Sequence, residues 1–475
     1  MKVLLINPPR HNEILADNPA FIDEERGYNP PLGLLYLAGY LKKKGNHNVF
    51  GLDAQVEQLD YNNQFKQKIK EKNPDVVGIT TMTFTLIDVL KTINLVKEVE
   101  KEFNKKIIIV LGGPHTHLFP TETINLEGVD YLIKGEGEAP FFNLLESLEG
   151  RNDLVNVKGL VYKKNGQIIN NAVGNLIDNL DELPFPDREL LPIEKYNSIL
   201  SSGKIVTTMF TSRGCPFQCS FCDRPHLGKK FRARTANNVV NEMEECLKLG
   251  IEEILVYDDT FTVDKQRVLD VCNEIIKRKL KFVWDIRARV DTVDIEVLNK
   301  LKQAGCARIH FGVEAGTEKI IKILNKCISL NQVEVAFKEA KKIGIERLAY
   351  FMIGSPEETR EDINKTIEFA KKINPDYVSI TILTPYPATE IYQRALEQGV
   401  IKSDYWREFA KNPEKGVITQ YWEKELTKKE LFKLLNEFYK KFYGRPSYIL
   451  KEFLKIKSFK DLIKKAKAGF KILYN

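Results

Sequence analysis

The stretch TSRGCPFQCSFCDRP places Cys215, Cys219 and Cys222 within eight positions, at the spacing C-x3-C-x2-C. Thiolates ligate iron–sulfur clusters, and three of them on one loop can hold three irons of a 4Fe–4S cluster. The fourth iron is then left without a protein ligand. A reaction centre needs such an open position, by the logic that separates three-ligand catalytic zinc from four-ligand structural zinc. A structural zinc site would need a fourth ligand, and His226, four residues past Cys222, could supply it. The remaining cysteines, Cys246, Cys272, Cys306 and Cys327, are scattered singly and read as small buried hydrophobes. Cys327 is set apart by its loop segment, LNKCIS. The odd total of seven, behind a start (MKVLLINPPR) too short and too soon broken by proline to read as a signal peptide, argues against a disulfide framework.

The cysteine loop follows a strand candidate, and a regular alternation follows the loop. IVTTMFTS, EEILVYDD, KFVWDIRA, ARIHFGVE, ERLAYFMIG and DYVSITILTP read as strands, separated by helices such as 237–249, 265–278 and 358–372. Six βα units fit a partial (β/α)6 barrel, whose chemistry sits at the carboxyl ends of its strands. Ahead of it, VLLINPP, HNVFGLD, DVVGIT, KIIIVLGGP and VDYLIKGEGE alternate with helices over 32–44, 84–103 and 139–148. Near-continuous Val/Ile runs suit strands buried on both faces, hence a Rossmann-like doubly wound parallel sheet with its ligand crevice at the carboxyl ends. The chain, at 475 residues, exceeds what one core organises. The expected division is a sheet domain over 1–150, a hairpin (turning at Asn165–Gly166) and proline-spaced linker over 151–200, a barrel over 201–400, and a basic helical region over 401–475.

The cysteine spacing, with Phe221 before the last cysteine, resembles the signature of the radical S-adenosylmethionine enzymes. In that family the open iron chelates the methionyl amine and carboxylate of S-adenosylmethionine, and reduction cleaves the sulfonium to a 5′-deoxyadenosyl radical. The resemblance implies further roles at successive strand ends. Asp258 and Asp259 of YDDT are expected to hold the methionyl amine, Arg289 of RVDTVD its carboxylate, and Glu314 of FGVEAGT the ribose. The plain physical readings are a helix cap for the acidic pair and a lysine partner for Glu314.

The N-terminal stretch is similar to the cobalamin-binding domain fused to one branch of this family, in NPPLGLLYLAGYL, GITTMT, GGPHTHLFP and GEGEAPF. The resemblance implies cobalamin contacts from Thr80, Thr81 and Thr83, from Gly112, Gly113, Pro114 and His115, and from Gly135, Glu136, Gly137 and Glu138. Taken alone, those glycines equally permit tight strand-to-loop turns. One departure stands out. Where many cobalamin proteins carry D-x-H-x-x-G, this chain has Asp53-Ala54-Gln55-Val56-Glu57-Gln58, without the histidine that ligates cobalt from below. His115 and His117 are the nearby alternatives.

Together these features imply a radical methyltransferase acting on an unactivated carbon or phosphorus centre, with a 4Fe–4S cluster, S-adenosylmethionine and cobalamin as cofactors. Ring closure, rearrangement or oxidation without methyl transfer is the alternative on the same fold, and a cobalamin-binding sensor the alternative outside enzymes. A sensor needs no low-potential cluster. The expected partners are a small-molecule, lipid or peptide substrate, touched by loops such as that of Tyr386, and an external low-potential electron donor.

A composition 43% hydrophobic and 29% charged excludes a disordered or fibrous chain. The net charge of +7 is carried by the end of the chain: from Lys428 onward there are fourteen basic and four acidic residues, so the rest is nearly neutral. That distribution argues against nucleic acid as a partner. The Lys-rich tail, with Phe, Leu and Ile at helical spacing, reads as helices packed on the barrel or as a peripheral contact with an anionic membrane. A cytoplasmic monomer is expected.

Overall fold

The computed structural model describes residues 1–14, 27–45, 47–198, 205–223, 228–414 and 416–454. Two parallel sheets organise them. The first takes its strands from β1 (Lys2–Asn7), β2 (Asn48–Asp53), β3 (Val76–Thr80), β4 (Ile108–Gly112) and β5 (Tyr131–Ile133), joined by a hairpin of β6 (Leu160–Lys164) and β7 (Gln167–Asn170). Their order is β2-β1-β3-β4-β5-β6-β7, parallel through β5 and antiparallel beyond. The hairpin turns at Asn165 and Gly166, both at positive φ as a two-residue turn requires. The sequence placed this hairpin in a connector; it instead extends the first sheet.

Along β1, Val3 and Leu5 join one apolar cluster while Leu4 and Ile6 join another, so both faces of the sheet are covered, as in the doubly wound arrangement expected. The chain leaves β1 toward β2 on one side and returns to β3 on the other. That reversal is where open α/β sheets form their crevice, at the carboxyl ends of the strands.

The second sheet holds β8 (Val206–Met209), β9 (Glu253–Val256), β10 (Val283–Ala288), β11 (Cys306–Glu314), β12 (Glu346–Ile353) and β13 (Tyr377–Ile382), paired in sequence order and all parallel. All six strand candidates of the sequence are present. The ring is not closed between β13 and β8 among the described residues. The free edge at β13 is covered by helix Lys428–Tyr443: the Tyr439 hydroxyl accepts from Ile380 N–H and donates to its carbonyl, and Tyr443 does the same at Val378. Satisfying edge groups this way blocks further strand addition. Part of the basic C-terminal region is therefore barrel wall.

Helix α1 (Leu32–Lys44) joins the two halves. Leu34, Ala38 and Leu41 pack on the first sheet, while Leu32, Leu35 and Tyr36 meet Val206 and Leu255 of the barrel. Gly39 lies on the linker: a Cβ there would stand 2.3 Å from the carbonyl oxygen of Phe185. Cys246, Cys272 and Cys306 are buried as expected, but Cys327 is exposed. The last described helix, Pro446–Leu454, exposes Ile449, Leu450, Phe453 and Leu454, and the rest of the basic tail, 455–475, lies outside the described residues. Among the described residues no helix is long and apolar enough to cross a membrane.

Candidate functional site

The cysteine loop begins two residues beyond a turn that is fixed from the neighbouring strand. The Asp258 carboxylate accepts four hydrogen bonds, from the backbone N–H and the hydroxyl of both Thr211 and Ser212, at 2.5–3.1 Å. Ser212 and Arg213 then pair antiparallel with Ala233 and Arg232, closing the base of the loop. Gly214 turns the chain at φ 81°, where a Cβ would fall 2.3 Å from the Lys230 carbonyl oxygen. Only glycine fits there.

Beyond Gly214 the loop is held by the segment that follows β11. Ser220 N–H donates to the Leu324 carbonyl at 3.0 Å, and the Asn325 amide donates to the Gln218 carbonyl at 2.6 Å. Cys215, Cys219 and Cys222 are all free thiols and half-buried. The Sγ of Cys215 lies 3.9 Å from the Thr260 hydroxyl, and that of Cys219 lies 3.9 Å from Arg289 Nη1. Burial pushes the Cys219 thiol up, opposed by the charges of Lys326 and Arg289. A soft three-sulfur donor set on one loop, flanked by cations, fits an anionic iron–sulfur cluster with one iron open. His226, the possible fourth zinc ligand, lies outside the described residues.

Several expected S-adenosylmethionine contacts have other tasks. Asp258 and Asp259 both border the cavity described below, but Asp258 is engaged in shaping the Thr211–Ser212 turn and has no exposure, whereas Asp259 is half-buried. Arg289 is clamped by Asp291 through two bonds of 2.9 Å, donates to the Lys326 carbonyl at 2.7 Å, and stacks on Phe217 with 3.8 Å to the ring centroid. It braces the cysteine loop and does not line the cavity described below. Glu314 accepts from Lys326 Nζ at 2.7 Å, the lysine pairing the sequence allowed. It stands at φ 70° on a bulge of β11, and a Cβ on Gly312 would stand 2.5 Å from its Oε1. Lys326 itself, 5.8 Å from the Phe221 ring, went unnoticed in the sequence.

The carboxyl ends of the two sheets face one another across a cavity of about 850 Å³. The first sheet contributes Thr80, Thr83, Gly112, Gly113 and Pro114, then Gly135 to Glu138; the barrel contributes Phe221, Cys222, Asp259 and Arg287; Tyr386 and Trp406 complete the wall. Gly112 has open space where a Cβ would project. This roomy, largely apolar groove beside flat glycine backbone fits a corrin macrocycle.

Two expected cobalamin contacts, Thr81 and His115, lie off the cavity wall, and two others on it, Glu136 and Glu138, are paired with arginines. Thr81 is fully buried: its N–H donates to the Gly112 carbonyl, its own carbonyl accepts from His115 N–H, and it braces the strand ends from behind. His115 is fully buried, with Nδ1 3.1 Å from the Thr83 hydroxyl, and burial pushes its pKa down to about 3. Neither His115 nor His117 lines the cavity, and no described lining residue is a histidine. Glu136 and Glu138 do line it, yet their carboxylates are committed. Arg213 donates to Glu136 at 2.7 Å and to Glu138 at 2.5 Å, and Arg232 donates to Glu136 at 2.9 Å. These buried ion pairs tie the GEGE loop of the first sheet to the base of the cysteine loop. The sequence contained no signal for them, because the partners lie far apart along the chain.

Comparison with known proteins defines the class of this site. Residues 209–370 match the model of the Radical SAM superfamily, and residues 20–145 match that of the B12 binding domain. The chain belongs to the cobalamin-binding radical S-adenosylmethionine enzymes, in the methyltransferase-like branch. The cofactors of that family are a 4Fe–4S cluster, S-adenosylmethionine and cobalamin. An uncharacterized methyltransferase of Pyrococcus horikoshii is 35% identical over 100% of this chain and 99% of its own. The anaerobic magnesium-protoporphyrin IX monomethyl ester cyclase of Rubrivivax gelatinosus is 31% identical over 83% of this chain and 70% of its own. Among solved structures, the radical S-adenosylmethionine methyltransferase TsrM from Kitasatospora setae, with cobalamin and a [4Fe-4S] cluster bound, matches with a TM-score of 0.69 at 17% identity, over 84% of this chain and 75% of that one. OxsB with aqua-cobalamin and S-adenosylmethionine bound gives a TM-score of 0.75 at 18% identity, over 99% of this chain and 71% of that one. These two likenesses speak for the fold.

Proposed function

We propose that this protein transfers a methyl group to an unactivated carbon, or to phosphorus, of a small-molecule, lipid or peptide substrate. The observation that carries this reading is the single cavity shared by the carboxyl ends of both sheets. A substrate lying there meets the cysteine loop on one side and the glycine-lined crevice on the other. When bound, the cluster with S-adenosylmethionine supplies a hydrogen-abstracting carbon radical, and cobalamin supplies a transferable methyl group.

The residues divide the work. Cys215, Cys219 and Cys222 would hold the cluster, and Phe221, between the last two of them, lines the cavity beside it. Asp259 receives the methionyl ammonium. Thr80, Thr83, Gly112, Gly113, Pro114, Gly135 and Gly137 would form the cobalamin bed, and among the described residues no histidine lines that cavity. Asp258, Arg289, Glu136 and Glu138 act through others by fixing the loops. A ring-closing reaction without methyl transfer is the second reading, supported by the cyclase relative at 31% identity.

The test is anaerobic reconstitution with iron, sulfide and cobalamin, read by visible absorption and by product analysis. Corrinoid bands together with a cluster shoulder, and formation of both S-adenosylhomocysteine and 5′-deoxyadenosine, are expected. A cluster with no bound corrinoid would refute the methyl-transfer reading and leave the second. Replacing the three loop cysteines by alanine abolishes S-adenosylmethionine cleavage on either enzymatic reading.

A further inference from the structure

Two arginines line the cavity, and they differ in their partners. Arg213 is held by Glu136 and Glu138. Arg287, at the carboxyl end of β10, has no carboxylate within salt-bridge distance among the described residues. Its guanidinium carbon lies over the Tyr257 ring, 3.6 Å from the centroid, and Nη1 donates to the Val256 carbonyl at 3.1 Å. Tyr257 is fixed in turn, its hydroxyl accepting from the Asn29 amide at 3.0 Å.

The contrast with other barrel arginines is chemical. Arg289, Arg308 and Arg347 each have an Asp or Glu within 4 Å by salt bridges of 2.9, 2.9 and 2.7 Å. Arg287 is half-buried and stays charged at any working pH. Arg287 also interacts with the Tyr257 and Tyr350 hydroxyls, but a guanidinium carries five N–H donors, and a partly desolvated cation on a cavity wall can present two of them to the oxygens of one anion. The neighbouring wall is aromatic: Phe210, Tyr386 and Trp406 face the same space.

We propose that Arg287 binds an oxyanionic group of the substrate, a carboxylate or a phosphate, whose apolar body lies against Phe210, Tyr386 and Trp406. This deepens the methyl-transfer reading by naming the substrate class, and it rests on that reading for the identity of the cavity. Arg287 is thereby a specificity-determining residue.

The experiment uses the holoenzyme, reconstituted with cluster and cobalamin and saturated with S-adenosylmethionine. Octanoate, octyl phosphate and 1-octanol, each below its aggregation concentration, are titrated calorimetrically into the wild type, Arg287→Met and Arg287→Lys. One charge-assisted bidentate contact predicts at least about tenfold tighter binding of an anion than of the alcohol in the wild type. Arg287→Met loses that preference while keeping its affinity for octanol, and Arg287→Lys retains part of it. Octanoate against octyl phosphate shows which oxyanion the site prefers. Equal binding of all three ligands by the wild type, or an anion preference that survives in Arg287→Met, overturns the proposal. So does a loss of S-adenosylmethionine affinity in both variants, because the anion would then be the cofactor's own carboxylate. Retained octanol binding shows that the variant is folded. Failure of the methyl-transfer reading appears separately, as missing S-adenosylhomocysteine with the anion preference intact.

Discussion

Arg213→Met removes the cation that joins the GEGE loop to the cysteine loop, and its cost follows from what remains behind. Arg213, Glu136 and Glu138 are at most 10% exposed, so their attraction is little screened. Glu136 keeps Arg232 at 2.9 Å, but Glu138 loses its one close cation. Removing one partner of a buried pair costs about 3–5 kcal/mol, because the other charge is left uncompensated. With one carboxylate stranded and the other still paired, the lower end of that range, about 3 kcal/mol, is expected. The deficit also depends on pH. In the wild type, burial pushes the Glu138 carboxyl up, and the charge and hydrogen bond of Arg213 outweigh it, so it titrates below the usual range. Without Arg213, only a backbone N–H and the more distant charge of Arg232 still oppose burial, and the folded pKa is expected to rise above the unfolded one. A group of that kind stabilises at low pH and loses its contribution as pH rises through the folded value. The variant is therefore closest to wild type near pH 5 and furthest from it near pH 8. Urea unfolding reports this through the buried Trp284, Trp406 and Trp422, all on the barrel side, and through the visible band of bound cobalamin. Adding Glu138→Gln to Arg213→Met recovers part of the loss, as coupled neighbours do. A deficit below about 1 kcal/mol, the scale of an exposed pair, or an equal deficit at both pH values would refute the reasoning.

Asp258→Ala leaves the buried N–H and hydroxyl groups of Thr211 and Ser212 without their acceptor, at about 1–3 kcal/mol for each group left unsatisfied; melting temperature and iron incorporation both fall. Asp259→Asn keeps the melting temperature and weakens S-adenosylmethionine binding by about tenfold in equilibrium dialysis, the loss of one charge-assisted contact. Gly214→Ala forces a Cβ to within 2.3 Å of the Lys230 carbonyl oxygen and so reduces cluster content after reconstitution, measured as iron and sulfide per chain. The buried Glu358 accepts from Gly354 and Ser355 N–H, yet burial raises its carboxyl to about 8. Its contribution is present below the unfolded value near 4.5 and is lost as pH rises through about 8. Glu358→Gln, which keeps an acceptor for both N–H groups, therefore has the higher melting temperature at pH 9, and equal melting of the two proteins there would contradict this.

What the sequence disclosed was whatever is local. The cysteine spacing, the Val/Ile runs and the Asn165–Gly166 turn each constrain a few adjacent residues, and each has its expected place in the structure. Register decided the rest. Met209 of β8 lies opposite Val256 of β9, which brings Asp258 level with Thr211 and commits its carboxylate to the turn there; Asp259, next along the chain, keeps some exposure on the cavity wall. No composition or motif distinguishes two adjacent aspartates. The same holds for the interdomain pairs: Arg213 and Glu138 are 75 residues apart, and only the folding of α1 and the linker between the sheets makes them neighbours. Nor does a motif separate Arg287 from Arg289. Arg287 is on β10 and Arg289 just past its end, and Asp291 follows Arg289 closely enough to bind it. Asp285, two residues before Arg287, acts on it only at a distance, because its carboxylate is paired with Arg308 and His310. The functional asymmetry between the two arginines is therefore set by where the acids are, and it follows that placing a carboxylate near Arg287 should close the anion site as surely as removing the guanidinium.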